Sequence, residues 1–275
     1  MILEKLKIEI SSYKIHKFSK LGFLKNMFNF YYQHIKKLYP LYIAETKQAL
    51  LRHKDFSPIA IEYARKAIYF NRMAFIAHAI ASKRTELKNK NIQRDVSYLE
   101  IGCNKDVCFN AIPTTAKVGV DPVSGGNIRI NSDEFFIKNQ SKFDVIFIDG
   151  LHEYDQIKRD TVNSLNALEE NGFLFIHDMI PFNFAEEHVP RLQDNWKGDV
   201  WKIGFELRKT QGLDFCVILA EDGGLGMVKK NKKDTKLYDD YNYLKNLKFS
   251  DFVAMNKQIN YISCEEGLST IQNSL

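Results

Sequence analysis

The chain has 275 residues, 45% of them hydrophobic and 27% charged, with a formal net charge of +5. That length buries a large core, and the composition is that of a soluble globular protein, which excludes a disordered, fibrous or disulfide-stapled class. No run reaches the roughly 18 uncharged apolar residues of a membrane-crossing helix.

The opening Met1-Ile2-Leu3-Glu4-Lys5-Leu6-Lys7 places charges where a secretory signal needs an unbroken apolar core. The expected location is therefore cytoplasmic. The scattered Cys103, Cys108, Cys216 and Cys264 lack zinc-finger or thioredoxin spacing and read as reduced thiols. Up to Lys54, eleven lysines and arginines face three glutamates, a surplus of eight that leaves the remainder at −3. Such a basic leader can meet an anionic partner, although lysines of this kind are more often the wet face of helices.

Residues 1–90 form an expected helical region. Leu21, Leu24, Met27, Phe28 and Tyr31 recur at spacings of three and four, Pro40 marks a break, and Ser57-Pro58 has the form of a helix start. The stripe Phe23, Phe28, Phe30, Tyr31, Tyr32, Tyr39 and Tyr42 reads as packing or as a homodimer surface. A further helix is expected around Met73, Ile76, Ala77 and Ile80. A polar linker over 88–95 then leads into an α/β domain, 91–230.

Within that domain the predicted strands are 96–101, 117–120, a short 128–130, 143–148 and 173–176. The run Phe143-Asp144-Val145-Ile146-Phe147-Ile148 is nearly continuous in apolar residues, as befits a central parallel strand covered on both faces. Helices are predicted near 106–111, from Ser132, over 154–168 and over 199–208. Two strands around the turn Glu221-Asp222-Gly223-Gly224 form a hairpin, so the sheet should end with an antiparallel strand. A tail, 231–275, is expected to be helical around 241–247 and 249–255.

The most informative stretch is 98–122. Tyr98-Leu99-Glu100-Ile101-Gly102-Cys103-Asn104 is followed by Val118-Gly119-Val120-Asp121-Pro122, the form of a βαβ unit whose first turn approaches a ligand. Asp121 stands nineteen residues after Gly102, about where an acid meets ribose hydroxyls. With no GxGxxG, a dinucleotide pyrophosphate is disfavoured. A ribose-bearing ligand without pyrophosphate needs only one close backbone approach, and S-adenosylmethionine (SAM) is such a ligand. The alternatives at Asp121 are a ribose ligand and a turn aspartate before Pro122.

Glu100-Ile101-Gly102 with Val120-Asp121 resembles motif I and its sequel in class I SAM-dependent methyltransferases, although the family often has a second glycine roughly where Asp106 stands. The resemblance implies a Rossmann-like seven-stranded sheet of order 3-2-1-4-5-7-6. It also implies a SAM site made by Glu100, Gly102, Cys103, Asn104, Asp121, Ser132, Asp133 and Asp149. Ser132 and Asp133 suit either the adenine amino group or a helix N-cap.

Asp149-Gly150-Leu151-His152 and Ile176-His177-Asp178 are similar to a subgroup that includes sugar and macrolide-sugar O-methyltransferases. That likeness implies Asp149 and Asp178 as ligands of a divalent metal, Mg²⁺ being the one expected. His152 would be a general base or a further ligand, or else a helix cap. The expected activity is methylation of a small hydroxylated acceptor, a sugar or surface-glycan precursor. One alternative is a non-catalytic binding protein of the same fold. A nucleic-acid methyltransferase is disfavoured, because the Asn/Asp-Pro-Pro-Tyr type motif is absent after the fourth strand.

Overall fold

A computed structural model describes residues 71–220 and 223–273. The expected leader helices, their aromatic stripe and the dimer surface lie outside the described residues, as do Glu221 and Asp222. The first described helix is α1 (Arg72–Asn89), opened by Asn71, whose side chain accepts from Ala74 N at 3.2 Å. It runs two residues into the linker predicted over 88–95.

The sheet strands are β1 (Tyr98–Ile101), β2 (Lys117–Val120), β3 (Phe143–Ile148), β4 (Leu168–Ile176), β5 (Leu213–Ile218), β6 (Leu225–Lys230) and β7 (Tyr261–Ile262). Between them run α2 (Val107–Ala111), α3 (Ser132–Lys138), α4 (Tyr154–Ala167), α5 (Phe184–Glu187) and α6 (Ile203–Lys209), with α7 (Tyr241–Leu244), α8 (Phe249–Met255) and α9 (Cys264–Gln272) in the tail.

The strand order is β2-β1-β3-β4-β6-β5-β7. The pairs among β1 to β4 are parallel, and β6 is antiparallel to both β4 and β5. This is the sheet that the class I methyltransferase resemblance implied, with two differences. The strand expected at 128–130 is reduced to a single bridge between Val120 and Ile128. Gly125 and Gly126, both at positive φ, turn the chain back there, and Asn127 Oδ1 takes Gly119 N at 2.8 Å where a ladder would run. In addition, β7 from the tail pairs in parallel with β5.

Alternation along the strands sorts the core onto two faces, because successive side chains of a strand point to opposite sides. Leu99, Ile101, Ile146, Ile148, Leu174 and Ile176 share one buried cluster with residues of α4 and α6. Tyr98, Val145, Phe147, Phe173 and Phe175 share the other with Phe75, Ile76, Ala79 and Ile80 of α1. α1 therefore belongs to the core of the sheet, so the boundary expected at residue 90 does not separate a helical region from it. The tail is likewise built in, since β7 extends the sheet and Ser82 Oγ on α1 donates to Ile271 O on α9 at 3.3 Å. Buried Asp144 ties the chain before β1 to β3, accepting from Arg94 Nη2 and from Ser97 N at 2.8 Å each. This register brings Gly102, Asp149 and His177 to one edge, each directly after its strand.

Candidate active site

At the β1–β2 end of that edge the loop after β1 needs Gly102, which has φ +84°; a Cβ there would lie 2.2 Å from Asp149 O. Asp121 closes this loop. Its Oδ2 accepts from Cys103 N (3.0 Å) and Asn104 N (2.9 Å), and its Oδ1 from Val123 N (2.8 Å) and Ser124 N (2.9 Å). Burial opposes the charge, but the four amides outweigh it and hold the carboxyl below its usual range. A carboxylate offers about four lone-pair positions. In this loop arrangement all are taken by backbone amides, the pattern of a turn aspartate.

Glu100 also departs from expectation. It points into the α1 face of the core, 1% exposed, and accepts from Tyr98 Oη at 2.5 Å, so its carboxylate is engaged in the core and not at the edge where a part in the SAM site was expected. Burial raises its pKa to about 7 against the help of Tyr98. The N-cap of α3 is Asn131, not Ser132 or Asp133, because its side chain accepts from Glu134 N. Ser132 Oγ instead takes Gln156 Nε2 at 3.1 Å, and Asp133 pairs with Arg159 at 3.2 Å.

The β3–β4 end brings four expected or neighbouring residues together. One ligand atom each from Asp149, His152, His177 and Asp178 lies within 4.8 Å of all the others. His152 Nε2 is 3.3 Å from Asp149 Oδ1, and its Nδ1 is 3.1 Å from Trp196 O and 3.3 Å from Asp178 Oδ2. His177 Nδ1 lies 3.1 Å from Asp149 Oδ1 and 3.3 Å from Asp178 Oδ2. Each carboxylate turns its other oxygen toward a cation: Lys197 Nζ lies 3.1 Å from Asp178 Oδ1 and Arg72 Nε 3.9 Å from Asp149 Oδ2.

Burial alone would raise both carboxyls. The two imidazoles beside Asp149 hold it far below its usual range, and His177, with Lys197 and His152, brings Asp178 to about 2. Burial opposes protonation of His152, yet Asp149 and Asp178 raise its pKa overall. The same carboxylates pull His177 toward its protonated form. Arg72 Nη1, 3.4 Å from His177 Nε2, can only donate there and so favours a neutral ring with its proton on Nδ1. His152 does not cap α4, since Tyr154 N donates to Asp199 Oδ1 at 2.6 Å.

Two of these residues were missed in the sequence, and both come from outside the strand ends. Arg72 arrives on the first turn of α1. Lys197, 3% exposed, arrives on a segment after Pro181 that carries no periodicity. That segment is built around Glu186, whose carboxylate takes Phe182 N and Asn195 Nδ2 at 3.0 Å each and whose carbonyl takes Lys197 N and Gly198 N at 2.9 Å each. Trp196 stacks on His152 at 5.5 Å, and Gly198, at φ +61°, sits so close to His152 O that a Cβ would lie 1.7 Å from it. A tryptophan and a glycine inside a polar run were the available signal.

Residues 113–179 match the family profile described as a methyltransferase domain. The matched span of that domain holds Asp121, Ser132, Asp133, Asp149, His152, His177 and Asp178, and it starts after the Gly102 loop. With the strand order, it bears out the reading of the chain as a SAM-dependent methyltransferase.

Similar solved structures include cofactor-bound Rv0187 from MTB, at 10% identity over 69% of this chain and 90% of that chain, with a TM-score of 0.43. SAH-bound methyltransferase PaMTH1 from Podospora anserina is similar at 15% identity over 63% and 94%, TM-score 0.39. An O-methyltransferase from Bacillus cereus in complex with SAH is similar at 9% identity over 68% and 88%, TM-score 0.41. No curated protein matched the chain. Among the described residues, no helix is long and apolar enough to cross a membrane.

Proposed function

We propose that the chain transfers a methyl group from SAM to a hydroxyl of a small acceptor, with the β3–β4 corner activating that hydroxyl. The observation that supports this reading is His152, held between carboxylates directly after β3. Trp196 O and Asp178 Oδ2 are both acceptors, so the proton of the neutral ring belongs on Nδ1, and Nε2, which faces Asp149 Oδ1 at 3.3 Å, takes the acceptor's proton and shares it with that carboxylate. Asp178 orients the ring and stabilises the imidazolium that forms, and Trp196 fixes its plane. Bound SAM supplies a methyl on a sulfonium, which needs in-line placement of the oxygen more than further chemistry from the protein.

The cofactor's place is proposed at the backbone of Gly102, Cys103 and Asn104. There Asp121 Oδ1 becomes available to ribose hydroxyls when the turn at 123–124 releases it, and Oδ2 goes on holding the loop. Asp149 and Asp178 are proposed to hold a divalent cation that lowers the acceptor's pKa. A sugar or glycan-precursor acceptor follows from the sequence resemblance. Isothermal calorimetry with SAM tests the reading: one site of micromolar order is expected, by comparison with common cofactor affinities. A folded chain that takes up no SAM overturns it in favour of the non-catalytic alternative.

A further inference from the structure

We propose that His177 is itself a metal ligand, and that with Asp149 Oδ1 and Asp178 Oδ2 it forms a mixed nitrogen–oxygen site that binds a divalent d-block ion such as Zn²⁺, Mn²⁺ or Co²⁺ in preference to Mg²⁺. This deepens the proposed function at the same corner. Mg²⁺ demands oxygen donors and draws its affinity from carboxylate charge, whereas imidazole suits d-block ions. Here the carboxylate charge is already reduced, by Lys197 on Asp178 Oδ1 and by Arg72 near Asp149 Oδ2. What remains directed inward is one oxygen from each carboxylate and the His177 nitrogen between them.

The two spacings from His177 agree with that assignment. Charge-assisted hydrogen bonds from nitrogen to carboxylate run at about 2.7–2.9 Å. The two contacts of His177 Nδ1 are 3.1 and 3.3 Å, and one N–H cannot serve both oxygens well. Ligands about 2.0–2.1 Å from a tetrahedral ion stand roughly 3.3 Å apart. His152 then either completes the shell through Nε2, 3.3 Å from Asp149 Oδ1, or stays outside it as the base. Metal at Nδ1 requires the His177 proton on Nε2, where Arg72 now donates, so Arg72 must turn away. It is about a quarter exposed, at the first turn of α1.

The test uses the full chain, stripped by chelation and re-equilibrated with Zn²⁺, Mn²⁺, Co²⁺ or Mg²⁺ alone. Bound metal is counted after gel filtration, and the visible absorption of the Co²⁺ form is recorded. One equivalent of d-block ion is expected, with Mg²⁺ binding at least ten-fold weaker. His177→Ala should weaken the d-block ion by roughly ten- to a hundred-fold, Arg72→Ala should tighten it, and His177→Glu should shift preference toward Mg²⁺. Far-UV circular dichroism confirms that each variant is folded.

Three results overturn the inference: a folded parent that retains no divalent ion, equal affinity for Mg²⁺, or d-block binding that survives in full in His177→Ala or Asp149→Asn. SAM calorimetry on the same preparations separates the two readings. Metal without SAM sinks the proposed function alone, and SAM without a d-block ion sinks this inference alone.

Discussion

The two ends of the sheet edge solve the same problem in opposite ways. Around Asp121 a buried acid is satisfied by four backbone amides, so the loop is held by hydrogen bonds that leave no acceptor over. Around Asp149 and Asp178 the partners are side chains, two imidazoles, a lysine and an arginine, at distances longer than good charge-assisted bonds. An edge closed by backbone is scaffold until its turn opens. A corner of mutually facing titratable side chains is poised to gain or lose a proton or an ion.

The largest expected effect breaks the second region. His152→Ala should lower turnover by roughly 10² to 10⁴, the usual worth of a positioned general base, while SAM affinity stays as in the parent. Turnover within a factor of a few of the parent would remove His152 from the reaction. Loss of SAM affinity together with turnover would instead make its role structural.

The pH dependence of stability sharpens the contrast, because Glu100 and the corner carry opposite signs. The folded pKa of Glu100, about 7, lies above the ordinary 4.5, so the fold favours its neutral form. That contribution is complete below pH 4.5 and is lost as the pH rises through 7. Asp178, at about 2 against 3.8, contributes stability above pH 3.8 that is lost as the pH falls through 2. Glu100→Gln should therefore match the parent near pH 4 in urea denaturation and exceed it at pH 8, by at most about 3 kcal/mol. A variant no more stable than the parent at pH 8 would mean that Tyr98 carries the ionised form without penalty.

Most of this contrast was legible from periodicity and punctuation. β2 and β3 fall where the apolar runs put them, because a continuous run ending in glycine or aspartate is a strand that stops at an edge. That Asp149, His152 and Asp178 would meet was readable from their positions after adjacent parallel strands. What could not be read was direction. Glu100 sits one residue from buried Ile101, and only the pleat sends its carboxylate to Tyr98 rather than to the edge. Arg72 and Lys197 were hidden because their approach is tertiary: one rides a helix start, the other a segment whose order comes from Glu186. β7 is two residues long, too short to show a period.

The smallest effects test the first region. Asp121 has a cationic neighbour as well as its amides. Arg129 Nη1 donates to Asp121 O at 2.9 Å and lies 3.9 Å from the carboxylate, with half of its side chain exposed. If the amides hold the loop, Asp121→Ala should cost roughly 1–3 kcal/mol of stability, since several donors lose a charged acceptor at once. Arg129→Ala should cost less than about 1 kcal/mol, because an exposed ion pair at that distance is screened by water and salt. Chemical denaturation of both variants at low and high salt decides between them. Equal losses that shrink together as salt is added would show that charge rather than backbone hydrogen bonding closes the loop. The turn at 123–124 would then have no reason to respond to SAM. If only Asp121→Ala is costly, amide exchange at Val123 and Ser124 should speed up when SAM binds, as Oδ1 passes from their N–H groups to the ribose.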